Sequence, residues 1–210
     1  MKNLHLTVVG NIASGKTTAC RILAESLNAS LLDADTFEGN PFLPSYVADR
    51  QRWAFATELY FMNARIKKLA NLKRLLKKGP VIVDSGLYMS HHVYVKNHFV
   101  QGTMTASEWD FFQELVTDMQ KGRYANNSTI LLLQCPVAVL FKRIAKRGRG
   151  FEKEYDATYL QQLEDRLSEL QETLEKTRKK LLIFDSAKYD IQEENGKTEL
   201  IKQIIKNFVS

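Results

Sequence analysis

The stretch LHLTVVGNIASGKTTACRILAE at residues 4–25 decides how this chain folds. Its centre, Gly10–Thr17, satisfies the pattern GxxxxGK[ST]. An apolar run rich in β-branched residues precedes this octapeptide, and a helical pattern over residues 17–28 follows it. A strand, a glycine-rich turn and a helix in this order predict a phosphate-binding loop.

The residue types in this loop each have a chemical reason. Glycines let the backbone amides turn toward a phosphate, and the helix amino terminus adds positive potential. Lys16 is expected to reach the β and γ phosphates, and the Thr17 hydroxyl is suited to Mg²⁺. We therefore expect a nucleoside triphosphate to bind through Gly10, Asn11, Ile12, Ala13, Ser14, Gly15, Lys16, Thr17 and Thr18.

Further apolar runs alternate with helical patterns along the rest of the chain. Nearly continuous hydrophobicity in a run is typical of strands that helices cover on both faces. Strands alternating with helices predict a parallel sheet, and hence one α/β domain over residues 1–210 with a three-layer sandwich. The runs are LHLTVV at 4–9, SLLDAD at 30–35, PVIVDS at 80–85, TILLLQC at 129–135 and LLIFDS at 181–186, and helices are predicted over 17–28, 51–78 and 107–121 and after Asp156.

Length and composition limit what the chain can be. Its 210 residues suit one domain, and a hydrophobic fraction of 44% excludes a disordered chain. The formal charge of +6 predicts an anionic ligand. No apolar run reaches the roughly 20 residues of a membrane span, and residues 4–9 are too short for a signal peptide, so we expect a cytoplasmic protein that contacts no membrane. Cys20 and Cys135 are expected to be reduced and buried.

Carboxylates follow two of the predicted strands. Asp33 and Asp35 lie at the end of the second run, and Asp84 lies at the end of the third. In open α/β sheets the carboxyl ends of the strands border the ligand crevice. We expect Asp84 to organise a metal ion and Asp35 to take a proton from an acceptor hydroxyl. Capping of helices or turns is the alternative role for all three.

Basic residues form two clusters that need different explanations. One lies in the last turns of a helix, where cations complement the helix dipole, and is expected to be a solvated face. The other is interrupted by Gly148 and Gly150, which is typical of a mobile segment that clamps an anion. The first cluster is Lys67, Lys68, Lys73, Arg74, Lys77 and Lys78, and the second is Lys142, Arg143, Lys146, Arg147, Arg149 and Lys153.

Three other features favour structural roles. His91 and His92 have no cysteine or carboxylate at ligand spacing, and we expect them on a helix surface. Trp53 and Phe55 are equally compatible with a base pocket and with core packing. Leucines spaced by three and four residues predict a core helix or a subunit seam, and they are Leu160, Leu163, Leu167, Leu170 and Leu174.

Around these residues the sequence resembles the deoxyribonucleoside kinases, particularly the bacterial deoxyadenosine and deoxyguanosine kinases. The resemblance covers most of the chain and rests on the P-loop, DTFEGNPFL, RWAF, ELYFMNAR, DSGLY, and FKRIAKRGRGFE followed by TYLQQL. It implies ATP-dependent 5′-phosphorylation of a deoxynucleoside in nucleotide salvage. It also implies a five-stranded parallel sheet, a homodimer, and an arginine-rich lid at about residues 143–154.

The resemblance assigns roles to the strand-end residues. Asp35 falls on the family's catalytic carboxylate, which is usually a glutamate followed by proline. Asp84 falls on the first residue of an acidic-Arg-Ser motif that helps to hold Mg²⁺. Ser85 stands where that motif has its arginine. The donor that supports the 5′-oxygen in the family must therefore be replaced or dispensed with in this chain.

The resemblance also assigns lid and sugar contacts. Glu152 matches the carboxylate that contacts the sugar 3′-hydroxyl. Val47 replaces a tyrosine often paired with that glutamate, and neighbouring Tyr46 is expected to compensate. The residues that match the catalytic lid arginines are Arg143, Arg147 and Arg149.

The expected base-binding residues lie on one helix. Glu58 stands where the family more often has glutamine, seven residues before Arg65, so the two project from similar faces. A carboxylate only accepts hydrogen bonds, and guanine offers two adjacent donors, N1–H and the 2-amino group. We expect Glu58, Arg65 and Trp53 to bind a purine deoxynucleoside, with deoxyguanosine preferred. A deoxyadenosine or broad-specificity kinase is the alternative.

Two other function classes fit these motifs less well. A nucleoside monophosphate kinase needs extra basic groups for the acceptor's own phosphate, and Ser85 argues against it. A nucleotide-binding switch or nucleic-acid-associated ATPase would explain the basic charge, but the sequence contains no NKxD guanine signature. We therefore expect a deoxynucleoside kinase that uses ATP and Mg²⁺ and has no nucleic-acid partner.

Overall fold

The fold is built on one sheet of five strands. The strands are β1 (His5–Gly10), β2 (Ser30–Leu32), β3 (Val81–Asp84), β4 (Thr129–Gln134) and β5 (Leu181–Asp185). Their order is β2-β3-β1-β4-β5, and all neighbours are parallel. The parallel five-stranded sheet is therefore confirmed. Parallel pairing places the ends of β1 and β3 at the same edge, since Val8 is the register partner of Asp84.

The structure is a computed structural model that describes residues 4–33, 39–121, 128–148 and 155–208. The candidate residues Asp35, Arg149 and Glu152 lie outside these ranges. Within them, no helix is long and apolar enough to cross a membrane.

Ten α-helical segments and one π-helix occur in the described ranges. The π-helix, Met89–Val95, continues directly from α5 into α6. The α-helices are α1 (Lys16–Ser26), α2 (Leu43–Ala48), α3 (Arg50–Leu69), α4 (Leu72–Leu76), α5 (Gly86–Tyr88), α6 (Lys96–Val100), α7 (Ala106–Lys121), α8 (Val137–Arg147), α9 (Ala157–Lys176) and α10 (Glu194–Phe208).

Helices cover both faces of the sheet because successive strand residues point to opposite sides. Leu6 and Val8 of β1 pack with α1 and α10 in one apolar cluster. Val9 packs on the other face with the π-helix and with Leu163 of α9. The three-layer sandwich predicted from the continuous apolar runs is confirmed.

The helix predicted over residues 51–78 is interrupted. It ends as α3 at Leu69, and α4 begins at Leu72. Asn71 lies in the break, and its side-chain oxygen accepts a hydrogen bond from Arg74 at 3.2 Å. Asparagine has a low helix propensity, which agrees with a break at this position.

The leucine row of α9 is a core element. All five leucines are buried, four of them against β4 and the π-helix and Leu160 against α8. The subunit-seam interpretation of this row is therefore wrong, because the chain's own sheet and helices cover it.

His91 and His92 are not surface residues as predicted. Both are half-buried, His91 Nε2–H donates a hydrogen bond to Gln113 Oε1 at 2.7 Å, and His92 stacks on Tyr88. His91 also stacks on Trp109 of α7, so aromatic rings between the π-helix and α7 cover the two histidines. The described residues contain no group of three or more His, Cys, Asp or Glu that could hold a metal ion.

The basic cluster at the end of α3 and in α4 is solvated as predicted. Five of its six side chains are exposed, and only Lys68 is half-buried. Lys68 donates a hydrogen bond to the carbonyl oxygen of Asp33 at 3.0 Å. Both cysteines are free and buried, which confirms their expected structural role.

Candidate active site

The P-loop links the end of β1 to the start of α1 and depends on two glycines. Gly10 has φ +152°, and a Cβ there would lie 2.7 Å from Ser14 Oγ and 2.8 Å from the Leu133 carbonyl oxygen. Gly15 has φ +98°, and a Cβ there would lie 2.8 Å from Ile191 Cδ1. Side chains other than glycine would strain both positions, so the loop conformation explains the motif's spacing.

Asn11 ties the P-loop to α9. Its buried side chain donates hydrogen bonds to the Leu160 carbonyl oxygen at 2.9 Å and to Glu164 Oε2 at 3.0 Å. Its Oδ1 accepts from the backbone N–H of Ile12 at 2.8 Å. Burial raises the pKa of Glu164, and the hydrogen bond from Asn11 opposes that rise. Asn11 thus positions the loop backbone, a role its place in the motif did not reveal.

The Lys16 side chain folds back over the P-loop. Its Nζ donates to the carbonyl oxygens of Gly10 at 2.9 Å and Asn11 at 2.8 Å. Burial lowers the pKa of the ammonium group to about 8, while Asp84 raises it and Arg147 lowers it. The Asp84 carboxylate and the Arg147 guanidinium therefore lie within electrostatic reach of the Lys16 ammonium group.

Asp84 and Thr17 form an oxygen-rich pair at the strand ends. The Thr17 hydroxyl donates to Asp84 Oδ2 at 2.7 Å, and the Ser85 hydroxyl donates to Oδ1 at 3.0 Å. The Asp84 carboxylate is 4% exposed. Hard oxygen ligands from a carboxylate and a hydroxyl suit Mg²⁺, so the donor set fits the expected metal ion.

Ser85 supports Asp84 and occupies a strained backbone position. Its φ of +66° and ψ of −47° are uncommon for a residue with a side chain. Its backbone N–H donates to the Val8 carbonyl oxygen at 2.9 Å, which holds the turn in place. Strain of this kind, which costs roughly 1–3 kcal/mol, clusters at functional sites.

Arg143 lies behind the P-loop. It donates to the Ser186 carbonyl oxygen at 2.6 Å and to the Ser14 carbonyl oxygen at 3.5 Å. Further contacts join its guanidinium to Cys135 Sγ at 3.6 Å and Ser186 Oγ at 3.4 Å. These contacts join the loop to the ends of β4 and β5, and a role of Arg143 in phosphoryl transfer stays a prediction.

Arg147 is placed differently from Arg143. It is exposed in the last turn of α8, directly before Gly148, which ends the helix at φ +66°. Its charge lowers the pKa of Lys16, so the two cationic groups lie within electrostatic reach of each other. A contact of Arg147 with a phosphate stays a prediction.

Glu58 lies near three tyrosines, in a region that we call the cleft. Its carboxylate is 6% exposed on α3. Burial raises the pKa values of Tyr46, Tyr94 and Tyr159, and the Glu58 charge raises each of them further. The carboxylate thus lies within electrostatic reach of helices α2 and α9 and of the π-helix.

Arg65 connects this cleft with the phosphate side. Its charge lowers the pKa of Tyr94 and also that of Lys16. The Asp84 charge has the opposite effect and raises the pKa of Tyr94. The predicted pairing of Glu58 and Arg65 around one site agrees with these placements, although their contacts with a substrate stay a prediction.

The two aromatic candidates on α3 lie in different surroundings. Phe55 packs with the core cluster and meets Phe111 edge to face at 6.1 Å. Trp53 is half-buried and stacks on Phe42 with ring centroids 5.9 Å apart. Core packing is therefore confirmed for Phe55, and a base contact stays a prediction for Trp53.

Asp33 is the alternative to Asp35 as a base, and it lies within the described residues. Its side chain is 51% exposed, and it lies 3.9 Å from the Arg21 guanidinium on α1. A proton acceptor in phosphoryl transfer must lie within hydrogen-bond reach of the attacking hydroxyl. The exposed Asp33 carboxylate lies beside α1, and a role for it as the base stays a prediction.

Sequence reasoning missed Tyr94, Tyr159 and His98 as residues around the cleft. Tyr159 lies in the TYLQQL string that carried the resemblance, and this string was the available signal. Tyr94 and His98 come from the π-helix and α6. A π-helix changes which residues face the cleft, so helical periodicity gave no indication of either residue.

Comparison with known proteins agrees with this site. A family model described as deoxynucleoside kinase matches residues 6–210. The deoxyguanosine kinase of Bacillus subtilis is 29% identical over 164 residues, which cover 75% of this chain and 73% of that protein. The deoxyadenosine/deoxycytidine kinase of the same organism is 27% identical over 168 residues, covering 79% and 75%.

A solved structure has the same fold. The deoxyadenosine kinase of M. mycoides, described with bound dCTP, superimposes with a TM-score of 0.76 at 17% identity, over 97% of this chain and 98% of that one. The match of the family model over nearly the whole chain, on a parallel sheet with this P-loop, makes the protein an enzyme of the deoxynucleoside kinase family.

Proposed function

We propose that the chain transfers the γ-phosphoryl group of ATP to the 5′-hydroxyl of a purine deoxynucleoside, with deoxyguanosine preferred, in nucleotide salvage. The buried Glu58 carboxylate in the tyrosine-lined cleft carries the proposal for the base. The P-loop, Lys16 and Asp84 carry it for the phosphate donor.

At the phosphate end, Lys16 binds and orients the β and γ phosphates. Thr17 and Asp84 would hold Mg²⁺, which would neutralise phosphate charge when bound. Arg147 supplies a further positive charge, and Arg149 is proposed to act with it on the transferred group. Arg143 keeps the loop against the ends of β4 and β5 and so preserves the position of Lys16.

At the acceptor end, Asp35 is proposed to take the proton of the 5′-hydroxyl as it attacks the γ-phosphorus. Glu152 is proposed to contact the sugar 3′-hydroxyl. Asp35 follows β2, and the described Asp33 beside it lies at the same sheet edge as the P-loop, which supports this placement.

At the base, a charged Glu58 accepts two hydrogen bonds from guanine N1–H and the 2-amino group. Charge-assisted hydrogen bonds contribute about 1.5–3 kcal/mol each. Adenine presents a lone pair at N1, so it would leave the buried carboxylate poorly satisfied. A site built to bind donors rejects a base that lacks them.

The test is a phosphorylation screen of the four deoxynucleosides with ATP, for the wild type and for Glu58→Gln. We expect deoxyguanosine to have the highest kcat/KM in the wild type. In Glu58→Gln the ratio of deoxyguanosine to deoxyadenosine or deoxycytidine should fall about 10- to 100-fold, since a carboxamide offers a donor and an acceptor. Glu25→Gln, an exposed glutamate of α1, is the matched control.

Two outcomes would favour the alternatives. Similar rates across the four bases in the wild type and in Glu58→Gln would support a broad-specificity kinase. A preference of the wild type for deoxyadenosine would support a deoxyadenosine kinase. Competition by deoxynucleoside monophosphates for phosphorylation would instead support a monophosphate kinase.

We also propose that the protein acts as a cytoplasmic homodimer. The leucine row of α9 is buried within the chain, so the interface must lie elsewhere. Phe99, Val100 and Phe111 on α6 and α7 are exposed apolar side chains. Light scattering after gel filtration should give twice the 24.1 kDa of one chain, and the mass of one chain would contradict the dimer.

A further inference from the structure

Glu164 of α9 contacts the P-loop although it is far from that loop in the sequence. Its Oε2 accepts a hydrogen bond from Nδ2 of Asn11 at 3.0 Å, across 153 positions of the chain. The Glu164 side chain is half-buried, and burial raises the pKa of its carboxyl group. The hydrogen bond from Asn11 lowers this pKa, and the neighbouring Asp165 carboxylate raises it. The contact with Asn11 therefore favours the charged form of Glu164.

The orientation of the Asn11 side chain follows from counting hydrogens. Its Nδ2 has two hydrogens, which go to Glu164 and to the Leu160 carbonyl oxygen at 2.9 Å. Its Oδ1 accepts from the backbone N–H of Ile12 at 2.8 Å. Asn11 is buried, so a residue without an acceptor at position 164 would leave one buried N–H group unpaired.

The backbone of Asn11 contacts Lys16. The Asn11 carbonyl oxygen accepts from Nζ of Lys16 at 2.8 Å and from the backbone N–H of Ser14 at 3.2 Å. Glu164 therefore binds the side chain of the same residue whose carbonyl oxygen shapes the loop around Lys16. A misplacement of about 1 Å can lower a rate about 10²-fold, so support from outside the loop matters for its chemistry.

We propose that Glu164 is a positioning residue for the phosphate donor, because its hydrogen bond with the Asn11 side chain holds the P-loop in the conformation that presents Lys16 to the β and γ phosphates. Glu164 does not touch the nucleotide itself. The inference rests on one part of the proposed function, which is ATP as the phosphate donor, and is independent of the nucleoside that accepts the phosphoryl group.

Helix α9 is held in place by other contacts. Its five buried leucines pack against β4, the π-helix and α8. Removal of the Glu164 carboxylate should therefore loosen the P-loop and leave α9 in position. Tyr159, which belongs to the nucleoside end, lies on the same helix and should keep its surroundings.

The test compares Glu164→Leu, which removes the acceptor, with Glu164→Gln, which keeps one. In Glu164→Leu we expect KM for ATP to rise about 5- to 50-fold, since one buried N–H group of Asn11 loses its partner. KM for deoxyguanosine should stay within about twofold of the wild-type value, because only donor binding is affected. In Glu164→Gln a carboxamide oxygen accepts from Asn11, so KM for ATP should stay within about threefold of the wild-type value.

Glu172→Leu is the matched control. Glu172 is an exposed glutamate about two turns further along α9, and its carboxylate contacts Lys176. We expect both KM values to stay at the wild-type level in this variant. Urea unfolding measures the stability of each variant separately. A loss of stability in Glu164→Leu with an unchanged KM for ATP would assign Glu164 a merely structural role and overturn the inference.

A second measurement does not depend on phosphoryl transfer. Calorimetry with ADP and Mg²⁺ should give a Kd about 5- to 50-fold higher for Glu164→Leu than for the wild type. Because Glu164 acts through Asn11, adding Glu164→Leu to Asn11→Ala should weaken ADP binding by less than about twofold further. Additive effects of the two substitutions on Kd would overturn the inference.

Failure of the proposed function would give a different result. A chain that shows the expected pattern of Kd values for ADP but phosphorylates no deoxynucleoside would contradict the proposed function and leave the role of Glu164 standing. A wild-type chain that does not bind ADP would overturn both.

Discussion

The proposed phosphate end and the proposed nucleoside end of the site are built in different ways. The phosphate end comes mainly from the contiguous loop Gly10–Thr17, with Asp84 added from the neighbouring strand β3. The nucleoside end takes side chains from α2, α3, the π-helix and α9. A site defined by backbone conformation can be recognised in the sequence as a motif. The make-up of a site built from packed side chains depends on helix register, which the sequence does not show directly.

The two ends also differ in charge. Lys16 and Arg147 make the phosphate end positive, and Asp84 balances them only in part. The nucleoside end combines the buried Glu58 with tyrosines whose pKa values are raised by burial. The first end therefore suits an anion and the second a neutral ligand with hydrogen-bond donors. The predictions below test this division.

The largest effect is expected for Lys16→Ala. This change removes the positive charge that the loop places against the β and γ phosphates, so phosphoryl transfer should fall by at least about 10³-fold. The buried ammonium has a lowered pKa, so its removal should not reduce the free energy of unfolding. Steady-state phosphorylation measures the first expectation and urea unfolding the second. Lys142→Ala, an exposed residue of α8, should leave both near the wild-type values.

Asp35→Asn should come next. Loss of the proton acceptor should lower kcat by about 10²–10⁴-fold and leave KM for the nucleoside nearly unchanged. Asp33→Asn is the control, because that carboxylate is exposed. A change confined to KM would make Asp35 a binding residue, and a loss of kcat in Asp33→Asn would move the base to that residue.

Two lysine substitutions should separate the arginines of α8. Arg147→Lys keeps the charge but loses the planar guanidinium, so we expect a kcat about tenfold lower with unchanged stability. Arg143→Lys should mainly destabilise the fold by about 1–2 kcal/mol, because one ammonium cannot reproduce the contacts with Ser14 and Ser186. Equal effects of the two variants on kcat and on unfolding would contradict the distinction.

The smallest effect on activity is expected at His5, which lies at the opposite end of β1 from the P-loop. Burial lowers the pKa of His5 to about 4, so the ring is neutral in the folded chain and takes up a proton near pH 6.5 when unfolded. Stability is therefore lost as the pH falls from about 6.5 toward 4, and His5 should account for about 2 kcal/mol of that loss between pH 7 and 5.

His5→Gln should remove this share of the acid sensitivity and leave kcat unchanged. Urea unfolding at pH 7 and pH 5 gives the difference for the variant and the wild type. An identical loss in both would show that the His5 environment does not disfavour the charged ring.

The sequence predicted the sheet and the phosphate end well because their rules are local. Continuous apolar runs identified all five strands, and the two glycines of the P-loop are required by positive φ angles. The break near Asn71 and the burial of the α9 leucines were missed or left open. Helical periodicity shows that one face is apolar but not which surface covers it.

The nucleoside end was only partly predictable. Glu58 and Tyr46 were identified through the resemblance, and the effect of the Glu58 charge on the pKa of Tyr46 shows that the two lie near each other. His98 was not identified, because its contact with Tyr46 spans 52 residues and crosses helices that the sequence does not orient. Arg143 matched the lid by position, yet its contacts lie behind the loop.

The π-helix at Met89–Val95 sets the angular register of everything that follows it on the same helix. Each residue of an α-helix turns the chain by about 100°, and a π-helical segment holds an extra residue relative to the α form. A one-residue deletion within Met89–Val95 would let the segment rewind as α-helix with all of its backbone hydrogen bonds made. The extra residue is accommodated within nearly the same total rotation, so this deletion would keep His98 on the Tyr46 side, and the segment tolerates a change of length that an α-helix would convert into a rotation of about 100°.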